Sequence, residues 1–174
     1  MLMEENSVSA WKSSLTYGLF LGIALVLVSV LYYATGNAFN KSAEWLSYGV
    51  MIAGVIIAQL QFRKLLGGFL SYAEALSVGI LTMLFASIIT GFFTYLLYAV
   101  IDPSLQEQMK LALEEQIFNR NIPEEQLDLA VEIASIFKNP VVMFFMNIIG
   151  GAFVGLLISL ITAIFTQKKP IPEY

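Results

Sequence analysis

The side chains able to do chemistry in this 174-residue chain are few, and two of the usual ones are missing, for it contains neither histidine nor cysteine. Without histidine the commonest general base, the usual zinc or haem ligand and the common catalytic triads are gone. Without cysteine there are no disulfides, thiolate nucleophiles or cysteine-bound metals. The remaining candidates are Glu74, Asp102 and interfacial tyrosines such as Tyr72 and Tyr98. A general acid and a general base must share a site, yet Glu74 and Asp102 bracket one long uncharged run. Coiled as a helix at ~1.5 Å per residue, that run holds them roughly 40 Å apart. The sequence therefore predicts a protein that is not an enzyme and carries no cofactor and no metal.

The elements that position these groups are apolar helices. Hydrophobic residues make up 58% of the chain and charged ones 13%, far from the balance of a water-soluble domain. No charge falls between Lys12 and Lys41, Glu44 and Arg63, Glu74 and Asp102, or Lys138 and Lys168. Each gap is long enough for a helix to cross a hydrocarbon core about 30 Å thick. The expected spans are about 14–34, 45–62, 76–101 and 140–165, the second being the shortest. Met1 to Trp11 carries Glu4 and Glu5 and lacks both the basic leader and the cleavage site of a signal peptide, so the first span is expected to be retained. The fold class predicted is all-α, an integral membrane four-helix bundle forming a single membrane domain over 1–174.

Local signals mark the ends of the spans. Ser71-Tyr72-Ala73-Glu74 before the third run has the spacing of a capping box, in which the serine accepts from the third amide and the glutamate returns to the cap amide. Asn40 is a candidate cap for the second span, Asp102-Pro103 starts a new element, and Asn139-Pro140 opens the fourth span. Between spans three and four, residues 102–138 read as an extramembrane hairpin of two amphipathic helices. Leu105, Met109, Leu113 and Ile117 mark the apolar face of the first, and Leu127, Val131, Ala134 and Phe137 that of the second, after a turn over 119–122. The polar face is acidic and would be repelled by anionic headgroups, so the hairpin is expected to lean on the bundle or on a protein partner.

Four spans place both termini on one side. That side carries Lys12, Arg63, Lys64, Lys168 and Lys169; the other carries Lys41, Lys110, Arg120 and Lys138. Because Arg63-Lys64 and Lys168-Lys169 abut span ends, the termini are expected in the cytoplasm.

Within the spans, Gly18/Gly22 and Gly151/Gly155 have the four-residue spacing that lets helix backbones approach, and Ala75/Gly79 repeats it. Packing within one chain and formation of a homodimer are both uses of that spacing. Polar residues fall at two depths: Thr16, Gln59, Ser77 and Thr162 near the cytoplasmic ends, and Ser29, Thr94 and Asn147 about 10 Å in from the other side. Interhelical hydrogen bonding accounts for both layers, and a small polar cavity around Ser29, Thr94 and Asn147 is the functional alternative. Apart from tyrosine, no ionisable residue lies in a span, which argues against proton pumps and ion-coupled carriers. There is no basic face for nucleic acid.

Gly67-Gly68-Phe69-Leu70-Ser71-Tyr72-Ala73-Glu74-Ala75 with Gly79, then Ile101-Asp102-Pro103, Pro123-Glu124-Glu125 and Asn139-Pro140, resemble a family of small bacterial four-span membrane proteins known only as a domain of unknown function. The resemblance covers nearly the whole chain and implies the bacterial inner membrane; it carries no activity and no site residues. The function expected is a non-catalytic accessory or scaffold protein of the envelope, docking a membrane-protein partner through the acidic hairpin. The alternative is a lipid-binding protein or small-solute permease using the polar cavity.

Overall fold

In a lipid interior a backbone has only its own carbonyls to bond to, so long uncharged runs coil into helices. The computed structural model describes residues 9–36, 41–119, 136 and 139–168. It contains α1 (Ala10–Ala34), α2 (Lys41–Leu65), α3 (Tyr72–Leu96) with a π-helical turn over Leu97–Ile101, α4 (Ser104–Asn119) and α5 (Pro140–Thr166). Four stretches, Ala10–Ala34, Glu44–Leu65, Tyr72–Ile101 and Pro140–Thr166, are long and apolar enough to cross a membrane. The second has 22 residues, enough at ~1.5 Å each for a core about 30 Å thick.

Helices α1, α2 and α3 each begin about a turn before the span expected from the sequence, because helical hydrogen bonding continues into the polar residues of the interface. The start of α3 is fixed by its first residues. Ser71 Oγ accepts from the Glu74 amide at 3.3 Å while the Ser71 amide donates to Glu74 Oε2 at 2.8 Å, a complete capping box. Such a cap is worth ~1 kcal/mol. At the start of α5, Asn139 Oδ1 accepts from the Val141 amide at 2.9 Å, and Pro140 occupies a position where a missing N–H costs nothing. Helix α2 ends at two glycines. The Gly68 amide donates to Arg63 O and the Gly67 amide to Lys64 O, with Gly67 at φ 74°, a left-handed C-terminal stop.

Helix α3 lies between α1 and α5, and α2 packs against all three. The glycine spacings are used inside the chain. A Cβ at Gly18 would lie 2.5 Å from Phe85 Cβ and 2.8 Å from the Thr82 carbonyl oxygen, and one at Gly22 would lie 2.8 Å from Ile89 Cδ1. On the other flank of α3, a Cβ at Gly155 would lie 2.5 Å from Met83 Cβ, and one at Gly151 would overlap Ser87. Gly18, Gly22, Gly151 and Gly155 thus face α3, which in turn offers Gly79 to Ser159 and Gln59.

The distribution of polarity is that of a lipid-facing molecule. Phe20, Leu27, Phe153 and Phe165 are more than half exposed, whereas Ser14, Gln59, Thr82 and Ser159 are fully buried. Water would drive the opposite arrangement.

At the end of the bundle that carries the α2–α3 loop, the chain is clasped to itself. Leu70 and Lys168 form a two-bond antiparallel bridge at 2.9 and 2.8 Å, Arg63 Nη1 donates to Thr166 O at 3.1 Å, and the Tyr72 hydroxyl donates to Leu160 O at 3.2 Å. Gln59, wholly buried, donates to Ala75 O and accepts from the Thr166 hydroxyl. The turn over 119–122, the second hairpin helix with Leu127, Val131, Ala134 and Phe137, the Asn40 cap, and the side chains of Leu113 and Ile117 lie outside the described residues, as do the placements of Arg120, Lys138 and Lys169.

Candidate functional site

Ser29, Thr94 and Asn147 sit on α1, α3 and α5, and all three line one cavity of about 480 Å³. It occupies the half of the bundle away from the clasp. There the four long helices part, leaving a floor of Leu25, Met51, Met83 and Val154 and a rim that includes Tyr33, Glu44, Tyr98 and Leu105. From Leu25 to Tyr33 along α1 the depth is roughly 12 Å. The volume falls within the range of roughly 300–1,000 Å³ usual for small-molecule sites.

The polar groups of the wall are held in different ways. Ser29 Oγ donates to Leu25 O of its own helix at 3.1 Å, so its hydroxyl proton is already engaged. Asn147 Oδ1 accepts from Thr90 Oγ1 at 2.9 Å, tying α5 to α3 and leaving the amide nitrogen of Asn147 uncommitted among the described residues. That nitrogen is an available donor in the wall. Thr90, Tyr32, Tyr33, Tyr48, Tyr98 and Glu44 also line the cavity, and sequence reasoning did not place them there. The tyrosines could have been found as a ring of interfacial aromatics at the ends of three spans.

The rim is built by the π-helical turn. The Asp102 amide donates to Leu97 O at 2.8 Å, one residue farther back than an α-helix allows, and the widened turn carries Leu97 and Tyr98 into the cavity wall. The Tyr98 carbonyl is engaged by Gln106 Nε2 at 2.7 Å, which anchors the first turn of α4 beside the opening. Leu105, 3% exposed, packs into the same rim. Asp102 joins these elements: its carboxylate accepts from the Ser104 hydroxyl at 2.5 Å, the Ser104 amide at 3.1 Å and the Tyr33 hydroxyl at 3.0 Å. The Ser104 hydroxyl, opposed by desolvation and helped to a lesser extent by Tyr33 and the Ser104 amide, holds the Asp102 carboxyl below the usual carboxylate range. Glu74 is at the opposite end of α3, in its cap.

The other polar layer differs from the expectation. Gln59 and Thr162 are buried, but Thr16 and Ser77 are exposed, and Thr16 bonds only back to Lys12 O of its own helix. Counting residues along a span gives a level but not the face of the helix, and both of these face outward. The buried partners are instead Ser14, which donates to Val78 O at 3.3 Å, and Thr166, with Ser13, Thr82 and Ser159 beside them. The hydroxyls of Ser13, Thr82, Ser159 and Thr162 have no hydrogen-bond partner among the described residues. Their small size suits the contacts where they occur, since Ser159 meets Gly79 and the backbone of Thr82 meets Gly18.

Over residues 16–168 the chain matches a family described as "Protein of unknown function (DUF4199)". The chain belongs to the DUF4199 family. No curated protein and no solved structure matches it. In this DUF4199 chain the matched region takes in α1 from Thr16, the other three apolar helices, the clasp and the cavity.

Proposed function

We propose that the protein is a non-catalytic integral membrane protein that admits a small amphipathic molecule, a lipid or a solute, into the cavity between its four long helices. It acts as a binding protein or as a passive permease. The observation that carries this reading is the cavity itself, lined by residues of all four long helices and furnished with an apolar floor and an amide donor at Asn147. Nothing charged need cross its floor, in keeping with spans free of carboxylates and bases apart from their ends. The test is native mass spectrometry of protein extracted gently from its own membrane. Wild type should retain a discrete small-molecule adduct, and Asn147→Leu should lose it while keeping its helicity. An adduct unchanged in Asn147→Leu would sink the assignment of the cavity.

A second reading, an accessory protein that docks an envelope partner through residues 102–138, is favoured by the exposed Leu111 on α4. In the same spectra it requires a stoichiometric protein that is lost when 102–138 is deleted.

We place the protein in a bacterial inner membrane with both termini cytoplasmic, on the strength of Arg63-Lys64 and Lys168-Lys169 at span ends. The cavity then opens outward. The cysteine-free chain makes this directly testable: a single Lys64→Cys should resist a membrane-impermeant maleimide in intact cells, and Glu107→Cys should react. The reverse pattern would invert the orientation.

A further inference from the structure

Resting on the reading of the cavity as a binding site, we infer that its ligand carries an ammonium group, and that Glu44 together with the tyrosines of the wall selects it. The charges of the wall are one-sided. Glu44 lines the cavity from the first turn of α2, while no lysine or arginine among the described residues lines it. Four tyrosine rings, Tyr32 and Tyr33 from α1, Tyr48 from α2 and Tyr98 from the π-helical turn, contribute to the same wall. Aromatic faces attract a cation through the ring quadrupole and do so most strongly where water is thinned, whereas an anion gains nothing from them.

The tyrosines are also electrostatically biased. The hydroxyl of Tyr33 donates to Asp102, which sets a second carboxylate at the rim with its acceptor oxygens turned to that ring's hydroxyl. Helix α4, which follows the rim, repeats the sign: its sequence holds Glu107, Glu114 and Glu115 against Lys110. A concave site with low-dielectric walls and one sign of charge at its mouth concentrates counter-ions of the other sign. An anionic headgroup would meet repulsion at the mouth and no base among the described residues of the wall. A neutral ligand would use Asn147 but gain nothing from the charge of Glu44.

The body of the ligand is set by the floor. Leu25, Met51, Met83 and Val154 offer apolar contact, so the ammonium group sits toward the rim and an apolar moiety points inward. Such a group could come from a soluble amine or from an amine-bearing phospholipid headgroup. The chemistry at the wall is shared.

The experiment uses the full chain in an uncharged detergent with three probes that share one benzyl body: benzyltrimethylammonium, benzyl alcohol and benzylsulfonate. Dissociation constants are taken from ligand-observed saturation-transfer titrations. The ammonium probe should bind at least about tenfold more tightly than the other two, and Glu44→Gln should remove that preference while leaving benzyl alcohol binding unchanged. Tyr48→Leu, which leaves the carboxylate in place, should weaken the ammonium probe more than the alcohol.

Equal binding of ammonium and alcohol, both lost in Asn147→Leu, would overturn the ammonium assignment and leave the cavity as a binding site. Binding of no probe by a folded protein that also retains no native adduct would overturn both. Where the ammonium preference holds, displacement by phosphatidylethanolamine added to the micelles assigns the group to a lipid headgroup. Failure to displace assigns it to a soluble amine.

Discussion

A Gly18→Leu chain will not hold the native bundle. Even a single added carbon at that position would lie 2.5 Å from Phe85 Cβ and 2.8 Å from the Thr82 carbonyl oxygen, and the second of these is backbone of α3. A side-chain neighbour can rotate away, but a helix backbone cannot. The two helices must separate along a seam that also includes Gly22 against Ile89. Overpacking typically costs ~1–3 kcal/mol for an extra methylene or two. Leucine at this contact should exceed that range, and Gly18→Ala should fall within it.

Gly150 supplies the control, because a Cβ there meets nothing within 4 Å. Gly150→Ala should be neutral, or stabilising by up to ~1 kcal/mol through helix propensity alone. Unfolding by SDS in mixed micelles, followed by circular dichroism, reads the series. If Gly18→Leu unfolds at the same SDS mole fraction as wild type, the close approach of α1 and α3 is wrong.

The same open glycine gives the second large effect, this time on binding. Gly150 lines the cavity at the level of Asn147, on α5. Phenylalanine there places a benzyl group in space that the bundle leaves empty, so it should occupy the cavity while leaving the helix contacts intact. Binding of a cavity ligand should weaken at least about tenfold, equivalent to ~1.4 kcal/mol or more, with the SDS midpoint close to that of wild type. The native adduct seen by mass spectrometry should vanish with it. Retention of the adduct by a folded Gly150→Phe chain would mean that the bound molecule sits elsewhere. Together the two glycines separate the roles of small residues in this bundle. Gly18 serves packing, and Gly150 leaves room.

Much of this architecture can be read from the order of residues, for physical reasons that differ by feature. The four apolar helices follow from the absence of charge between Lys12 and Lys41 and in the three later gaps, since a membrane tolerates nothing else of that length. The cap at Ser71 and Glu74 was legible because a capping box is local, closed by four consecutive residues. Ser29, Thr94 and Asn147, set at one level by counting residues along their helices, line one cavity.

Which face of a helix turns inward was much harder to read. In water an apolar stripe points to the core, but in lipid both faces are apolar and the stripe disappears. Thr16 and Ser77 therefore looked equivalent to Gln59 and Thr162, yet they face outward, while Thr166 and Ser159 went unnoticed. The rest depends on distant partners. The bond from Tyr33 to Asp102, the widened turn at Leu97–Ile101 and the bridge between Leu70 and Lys168 each join residues whose meeting no local pattern announces.

That last bridge bears on how the protein is made. Helix α5 leaves the ribosome after the other three long helices, yet it supplies one whole flank of α3 and the strand residue that closes on Leu70. Until Lys168 has been synthesised, Leu70 lacks its bridging partner and the face of α3 bearing Gly79, Met83 and Ser87 is turned to lipid or to whatever guards nascent chains. Completion of the bundle is thereby coupled to completion of translation through residue 168. A chain stopped short of α5 would present small and hydroxyl-bearing side chains in the bilayer, the sort of surface by which membrane quality-control proteases can tell an unfinished helix from a finished one.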